Sequence, residues 1–297
     1  MHIKKAQLYK EDGLISRLTQ TLLIITLMQV SLLSSAACLT FDAKSLQQKK
    51  AAWTHYLKNK PASMANNWII GQSNPPGKAK REAKSQMRCL REKLSQSLNQ
   101  KKPVKLLSHY RNASRQAAIW TRKYRFEGGA FDKISDESRL LCPQLSESDL
   151  RWMPSMRKHR ACWKRLTVDQ RQREILQASS APGISRHHWG TDFDIVSLNS
   201  KAWQKKHLKE YRWLQKNAAK YGFIQVYTAG RKGEGYFEER WHWSYFPVAQ
   251  ALLDYAKTHE KKIDKALNAQ WKGAEKYQYI QKQWQSYVFN VNEKPWF

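Results

Sequence analysis

The densest group of metal-ligating and proton-transferring side chains in the chain is Ser185-Arg186-His187-His188-Trp189-Gly190-Thr191-Asp192-Phe193-Asp194, and a second group follows at Glu238-Glu239-Arg240-Trp241-His242. Two imidazoles and one carboxylate are the donor set that holds Zn2+ in a hydrolase and leaves a fourth position for water, whose pKa then falls to about 7. Two His and one Asp for such a set are on offer within these two groups. A carboxylate beside that water, not itself spent on the metal, has to take the proton, and Glu239 stands three residues before His242 for that purpose. Asp192 competes with Asp194; lying two residues away on the same strand face, it is expected to orient His187 from behind the metal. His188 reads as structural or rim-exposed, and Glu238 as a solvated neighbour. Spacing alone leaves a plainer reading open, in which His187 and His188 are polar turn residues and Trp241, Trp243 and Tyr245 are aromatic core. An ideal strand sends residues three apart to opposite faces, so Glu239 and His242 converge only across a bulge or a strand end.

The elements that must position these residues are readable from pattern. Ala181-Pro182-Gly183 turns the chain ahead of the first group, and the alternating, β-branched run from Phe193 to Leu198 predicts a strand. Ser200 caps a predicted helix carrying Trp203, Leu208, Tyr211, Leu214 and Ala218, which Gly222 ends. Phe223 to Tyr227 is a second strand, and beyond the Gly230 to Gly235 turn Tyr236 to Phe246 is a third. Upstream, Lys78 to Gln100 spaces Ala83, Met87, Leu90, Leu94 and Leu98 at helical intervals between the breaks Asn74-Pro75-Pro76-Gly77 and Lys101-Lys102-Pro103. Ser114 to Tyr124 and Asp169 to Gln177 are also helical, and from Val248 onward the chain is mostly helical, with Trp271, Tyr277, Trp284 and Tyr287 as docking residues. Glu127 to Arg160 is a long polar excursion that needs a tether, which a Cys142 to Cys162 disulfide supplies. The expectation is an α+β domain over 105–248, a small antiparallel sheet flanked by helices, with a basic helical extension over 38–104 and a helical C-terminal extension over 249–297.

Composition sets the compartment. Lys4, Lys5, Lys10 and Arg17 precede an uncharged stretch from Leu18 to Ala37 that closes on Ser34-Ser35-Ala36-Ala37, the pattern of an export signal cleaved after residue 37. An uncleaved membrane anchor is the alternative. Cys38 stands where a bacterial lipoprotein carries its lipid, but Ser35 occupies the place where such a signal usually has Leu, so a periplasmic or envelope-associated soluble protein and a lipoprotein both stay open. With 41% hydrophobic residues and 13 Trp in 297 residues the chain is not disordered. A formal net charge of +29 favours polyanionic surroundings, and export turns that preference from nucleic acid towards anionic envelope polymers. Cys38, Cys89, Cys142 and Cys162 show no C-x-x-C spacing, which in an oxidising compartment predicts disulfides rather than metal binding.

The run Ser185-x-His187-x-x-Gly190-x-x-x-Asp194 followed by Glu239-x-Trp241-His242 resembles the VanY-like D-alanyl-D-alanine carboxypeptidases, zinc D,D-peptidases that share their fold with the hedgehog signalling domain. The resemblance implies that His187, Asp194 and His242 bind one Zn2+ per chain, that Glu239 is the catalytic base, and that the substrate is a peptidoglycan stem peptide. Ser108-His109-Tyr110-Arg111-Asn112-Ala113-Ser114-Arg115-Gln116 looks like the family's Ser-Gly-Tyr-Arg segment with its later Gln, with His109 in place of Gly. It implies that Arg111 polarises the scissile carbonyl or stabilises the oxyanion, and Gln116 is expected to contact substrate, while Ser185 either hydrogen-bonds substrate or caps the turn. Arg115, Arg122 and Lys123 then read as a solvated helix face. Tyr221-Gly222-Phe223-Ile224 also fits the family, whereas Val226-Tyr227-Thr228 departs from its Arg-Tyr-Pro. Carboxypeptidase and endopeptidase action remain open at this point, and a non-catalytic envelope-binding module that keeps the fold is the alternative from another class.

Overall fold

Apolar and polar residues alternate along Asp192-Phe193-Asp194-Ile195 and His242-Trp243-Ser244-Tyr245, and these two segments form the centre of a four-stranded antiparallel sheet. The computed structural model describes residues 38–127, 133–198 and 200–297, so the expected signal segment 1–37 lies outside it. The chain divides into two compact units, Met1–Leu39 and Thr40–Phe297, and every element below belongs to the second. Strand order is β1 (Leu106–Ser108), β2 (Asp192–Ile195), β4 (His242–Tyr245), β3 (Phe223–Gln225). The register sets Asp194 opposite His242, Phe193 opposite Trp243 and Asp192 opposite Ser244. One face therefore collects the polar residues of the site, and the other carries Phe193, Phe223, Trp243 and Tyr245, all buried.

Around the sheet run α1 (Ala43–Lys58), α2 (Ala62–Ile69), α3 (Gly77–Ser97), α4 (Ala113–Tyr124), α5 (Asp136–Leu141), α6 (Arg157–Arg165), α7 (Val168–Leu176), α8 (Ser200–Gln204), α9 (Leu208–Asn217), α10 (Phe246–Thr258), α11 (Glu260–Trp271) and α12 (Gln278–Phe289). Helix α10 follows β4 directly, with Pro247 at its start, and is buried from Phe246 through Leu253. A helix apolar on nearly all sides has to be covered on all sides. Helix α1 packs along it, and α2 and α11 also contact it. Residues 43–104 thus contribute to the same core as the sheet, through Trp53, Leu57, Trp68, Met87, Leu90 and Leu94. No helix among the described residues is long and apolar enough to cross a membrane.

Three expectations are revised. The single helix expected from Ser200 to Ala218 is broken into α8, α9 and a 3-10 turn over Ala218–Tyr221, although Gly222 does end it in the left-handed region at φ 83°. The third strand begins only at His242, because Tyr236 to Trp241 is taken up in loop and turn. Strand β1 was not anticipated: three residues are too few to show a period.

The polar excursion is a small helical lobe built on the Glu174 carboxylate. That group accepts hydrogen bonds from Ser138 Oγ (2.7 Å), Trp152 Nε1 (2.7 Å) and Gln177 Nε2 (3.0 Å), and from the backbone and hydroxyl of Ser135. Phe126 stacks on Trp163, and Trp152 meets both rings edge-on. The expected Cys142–Cys162 disulfide is present, with a sequence separation of 20. Cys38 and Cys89 are disulfide-bonded too, and none of the four thiols is free. Closing a loop of 20 residues is worth about 3 kcal/mol in chain entropy. A Cys142→Ser, Cys162→Ser double variant is accordingly expected to lose about that much stability, read as a lower urea midpoint. An unchanged midpoint would show that Glu174 and the aromatic cluster hold the lobe unaided.

Candidate active site

The polar face of the sheet, one 3-10 turn and one tight turn bring the expected residues together. Asp194 comes from β2, and His242 from the facing position on β4. His187 comes from the 3-10 turn Arg186–Trp189, which ends on Gly190 at φ 69°. A side chain at Gly190 would meet Pro75 at 2.8 Å, so glycine serves there both the left-handed backbone and the close approach. The turn is pinned to α2 by reciprocal bonds, Trp68 Nε1 to the Trp189 carbonyl and Trp189 Nε1 to the Ile69 carbonyl, each 3.1 Å. Glu239 reaches the cluster because a turn closes between it and the start of β4, His242 N donating to the Glu239 carbonyl at 3.3 Å. This is the strand end that the three-residue spacing required.

The inward nitrogens of both imidazoles are set by the bonds made outward. His187 Nδ1 donates to the His109 carbonyl at 2.7 Å, leaving Nε2 to face Asp194 Oδ2 at 3.3 Å. His242 Nε2 donates to Asp192 Oδ1 at 2.9 Å, leaving Nδ1 to face Asp194 Oδ1 at 3.4 Å and Glu239 Oε2 at 3.2 Å. Asp192 therefore orients His242, not His187 as its place on the strand suggested. The orienting group of His187 is a backbone carbonyl, which leaves no trace in residue type.

Charge is distributed accordingly. Burial alone would raise the Asp194 pKa, yet His187 and His242 bring it below the ordinary carboxylate range. Burial disfavours the His242 cation, but the carboxylates of Asp192, Asp194 and Glu239 facing its ring outweigh it and push its pKa well up. Burial and then Arg111 push His187 down. The donor set fits a divalent cation: ligand atoms of His187, Asp194 and His242 lie within 4.8 Å of one another, all three residues are buried, and Asp194 Oδ1 has no hydrogen-bond partner. Lone pairs and carboxylate oxygens at such distances repel unless a cation or proton stands among them.

The cluster opens on a cavity of about 260 Å3 that also receives Arg111, Gln116, Ser185, Tyr227 and Tyr236. Arg111 is clamped to the 3-10 turn through its backbone: its N donates to the His187 carbonyl at 3.2 Å and its carbonyl accepts from His188 Nδ1 at 2.6 Å. Its Nε is buried without a partner, as are Ser185 Oγ and Gln116 Oε1, while Gln116 Nε2 donates to the Ser180 carbonyl at 2.6 Å. His188 is fully buried, not at the rim; it accepts from Gly183 N at 3.0 Å, and burial lowers its pKa to about 4. Glu238 pairs with Arg240 at 3.1 Å and lies outside this cavity. Among the cavity residues that were not foreseen, two are polar and placed by hydrogen bonds. Lys123, read as solvated, lines it and donates to Ser179 Oγ at 2.5 Å; Tyr236 donates to Ser180 Oγ at 2.7 Å and packs edge-on against Tyr227.

The sequence profile of the VanY family, described as D-alanyl-D-alanine carboxypeptidase, matches residues 77–248. Among solved structures the chain is similar to the LdcB LD-carboxypeptidase, with 20% identity and a TM-score of 0.33 over 60% of this chain and 64% of that one, so it spans less than two thirds of the LdcB chain. It is similar to DacB from Streptococcus pneumoniae, with 17% identity and a TM-score of 0.33 over 64% of this chain and 77% of that one. A third is a variant of the vancomycin-resistance D,D-pentapeptidase VanY from a VanB-type cassette, in complex with Zn(II), with 19% identity and a TM-score of 0.31 over 58% and 75% of the two chains. No curated protein matches significantly.

Substituting His187, Asp194 or His242 by Ala is expected to abolish stoichiometric zinc binding, since each removes one donor of three. Asp192→Asn keeps the donors but loses the charged partner of His242, for an expected 10- to 100-fold loss of affinity, roughly the usual worth of such an orienting group. Zinc titration with a competing chelator measures both. Full affinity in the Asp194 variant would show that Asp192 is the ligand.

Proposed function

The chain belongs to the VanY family of D-alanyl-D-alanine carboxypeptidases, and from that premise we propose that it is a zinc-dependent hydrolase of D-alanyl-D-alanine or a related peptide bond in bacterial peptidoglycan. The observation that carries the reading is the convergence of His187, Asp194 and His242 with a buried carboxylate, Glu239, 3.2 Å from His242 Nδ1. When bound there, zinc supplies the Lewis acidity that lowers the pKa of water to about 7. Glu239 takes the proton from the attacking water and passes it to the departing amine. Its backbone is held for this task, N donating to the Tyr227 carbonyl at 2.9 Å and O accepting from Gln225 Nε2 at 3.3 Å. Arg111, facing the same cavity with an unpartnered Nε, offsets the charge that develops on the carbonyl oxygen. Ser185 Oγ and Gln116 Oε1 are polar atoms without protein partners in that cavity, available to a substrate hydroxyl, amide or carboxylate. Lys123 lines the same cavity, and a cation there favours capture of a terminal carboxylate and hence carboxypeptidase over endopeptidase action.

A module that only binds the envelope has no use for a buried carboxylate next to metal ligands, since it costs desolvation and contributes no affinity there. Glu239 thus favours the enzyme. The disulfides suit an oxidising compartment outside the cytosol. With its sulfur in a disulfide, Cys38 has none to offer a thioether lipid, which supports plain signal cleavage over lipoprotein anchoring.

Glu239→Gln keeps size and reach but cannot accept a proton. Zinc content is expected to stay, and release of D-alanine from a stem-peptide mimic to fall by about two to four orders of magnitude, with substrate still binding. Glu238→Gln, outside the metal cavity, is expected to retain activity. Near-normal turnover of Glu239→Gln would remove the assigned role.

A further inference from the structure

The C-terminal tail lies outside the stretch 77–248 that matches the family, yet it reaches the loop that delivers Glu239. Helix α12 ends at Phe289, and Asn292 beyond it meets the end of β3, an edge strand of the sheet. Asn292 N donates to the Val226 carbonyl at 2.8 Å, and its Nδ2 to the Gln225 carbonyl at 3.0 Å. The same side chain is locked by Lys294, whose carbonyl accepts from Nδ2 and whose N donates to Oδ1, each at 3.1 Å. Asn290 Nδ2 donates to the carbonyls of Lys232 (2.9 Å) and Glu234 (2.7 Å), and the Asn290 carbonyl accepts from Arg231 Nη1. The tail is itself fastened to the body of the protein. Glu293 accepts from Gln250 Nε2 at 2.8 Å and Lys257 Nζ at 2.5 Å, both on α10, and Trp296 meets Trp243 edge-on.

Both asparagines act on one loop, 226–239, which joins β3 to the carboxylate beside the metal ligands. Asn292 holds its entry, and Asn290 holds its middle. Its exit is held by Gln225, whose Nε2 donates to the carbonyls of Tyr227 (2.9 Å) and Glu239 (3.3 Å). Gln225 thus links the two ends: the tail fixes its backbone carbonyl, and its side chain fixes Glu239. Packing does less here. Thr228, Gly230, Gly233 and Gly235 border a cavity of about 190 Å3, and a side-chain carbon placed at Gly230 would meet nothing within 4 Å. A turn with so few neighbours keeps its shape through hydrogen bonds, and those it receives from Asn290 and Asn292 come from outside the family domain. The imidazole of His187, by contrast, is held through β1 and the 3-10 turn, and Asp194 through the sheet ladder.

We propose that Asn290 and Asn292 are positioning residues for Glu239, so that the C-terminal tail sets the place of the proton-accepting carboxylate without touching metal or substrate. The proposal rests on the reading of Glu239 as general base. A general base has to stand within hydrogen-bond reach of the water it deprotonates, and a shift of about 1 Å can cost up to about 100-fold in rate. Releasing the loop at its entry and its middle lets Glu239 wander, while His187, Asp194 and His242 keep the bonds that orient them.

The test uses the full-length zinc-loaded protein with Asn290→Ala and Asn292→Ala, singly and together, and a stem-peptide mimic ending in D-Ala-D-Ala. The double variant is expected to lose about tenfold in kcat, with KM within about twofold and zinc affinity unchanged. Amide hydrogen exchange is expected to quicken over 226–239 and to stay the same over 192–195. Both side chains are only half-buried, circular dichroism checks the fold, and each single variant keeps one of the two clamps, so the comparison stands even where the double variant is unstable. The deciding measurement repeats the substitutions in the Glu239→Gln background. If the asparagines act through Glu239, the residual rate there changes by less than about twofold. A kcat equal to that of the parent protein overturns the proposal, and so does an equal fall in both backgrounds, which would place the effect in the fold at large. Either result leaves the hydrolytic reading standing. A parent protein that releases no D-alanine overturns that reading, and the positioning role with it.

Discussion

The imidazole of His242 lies between two carboxylates that reach it from a single strand face, Asp192 at Nε2 and Asp194 at Nδ1. That bracket exists because β2 and β4 pair with Asp194 opposite His242, and side chains two residues apart on a strand stand on the same side. A slip of one residue in this ladder would send Asp192 and Asp194 to the face of Phe193 and Trp243 and leave the imidazole without either partner. Two buried carboxylates beside one another also repel, and the fold answers with cations. Arg186 Nε bonds Asp192 at 3.0 Å while its Nη2 reaches Ser244 on the next strand at 3.0 Å, and the guanidinium stacks 4.3 Å above Trp189. Arg186 thus holds the outer carboxylate charged and spent, which leaves Asp194 to face the two imidazoles.

The donor set was legible in the sequence because it depends on residue types at separations that the sheet enforces. His187, Asp194, Glu239 and His242 all meet as their spacing and family resemblance led one to expect. The long amphipathic helix α3, the helix carrying Gln116 and the lobe's disulfide were legible for a related reason: each leaves a periodic or pairwise pattern in the chain. Interactions that use backbone atoms leave none. The His109 carbonyl fixes the His187 tautomer, yet any residue at 109 supplies a carbonyl, and the departure from the family's Gly at that position gave no hint of it. The His109 ring itself has a separate use, stacked 4.1 Å on Phe193 and bonded to the Gly190 carbonyl at 3.0 Å, with burial lowering its pKa to about 4.

Other features were hidden because tertiary contacts outweigh local pattern. Lys123 sits beside Arg122 on a helix that reads as basic and solvated, yet it lines the cavity and donates to Ser179 Oγ. Tyr236 lies in a stretch whose aromatic alternation reads as strand, but Arg231 ties up its carbonyl and those of Thr228 and Asn290, which holds the segment as a loop. Such side-chain bonds to backbone compete with ladder formation and win where no neighbouring strand is at hand.

The helices outside the strand motifs bear on the same chemistry. Catalytic groups have to be held to within about half an ångström, and short strands at a sheet centre cannot do that without support from both faces. Helix α3 supplies it from below, where Glu82 accepts from the Tyr245 hydroxyl at 2.9 Å and from Trp53 Nε1 at 3.4 Å, joining β4 to α1 through one carboxylate. Helix α2 supplies it at the 3-10 turn through the Trp68–Trp189 exchange, so His187 and His242 are braced from two separate helices. Loosening either brace displaces one imidazole relative to the other while leaving every ligand residue in place. The spacing of the donor cluster is therefore a property of the packed N-terminal helices as much as of the three residues that supply the donors.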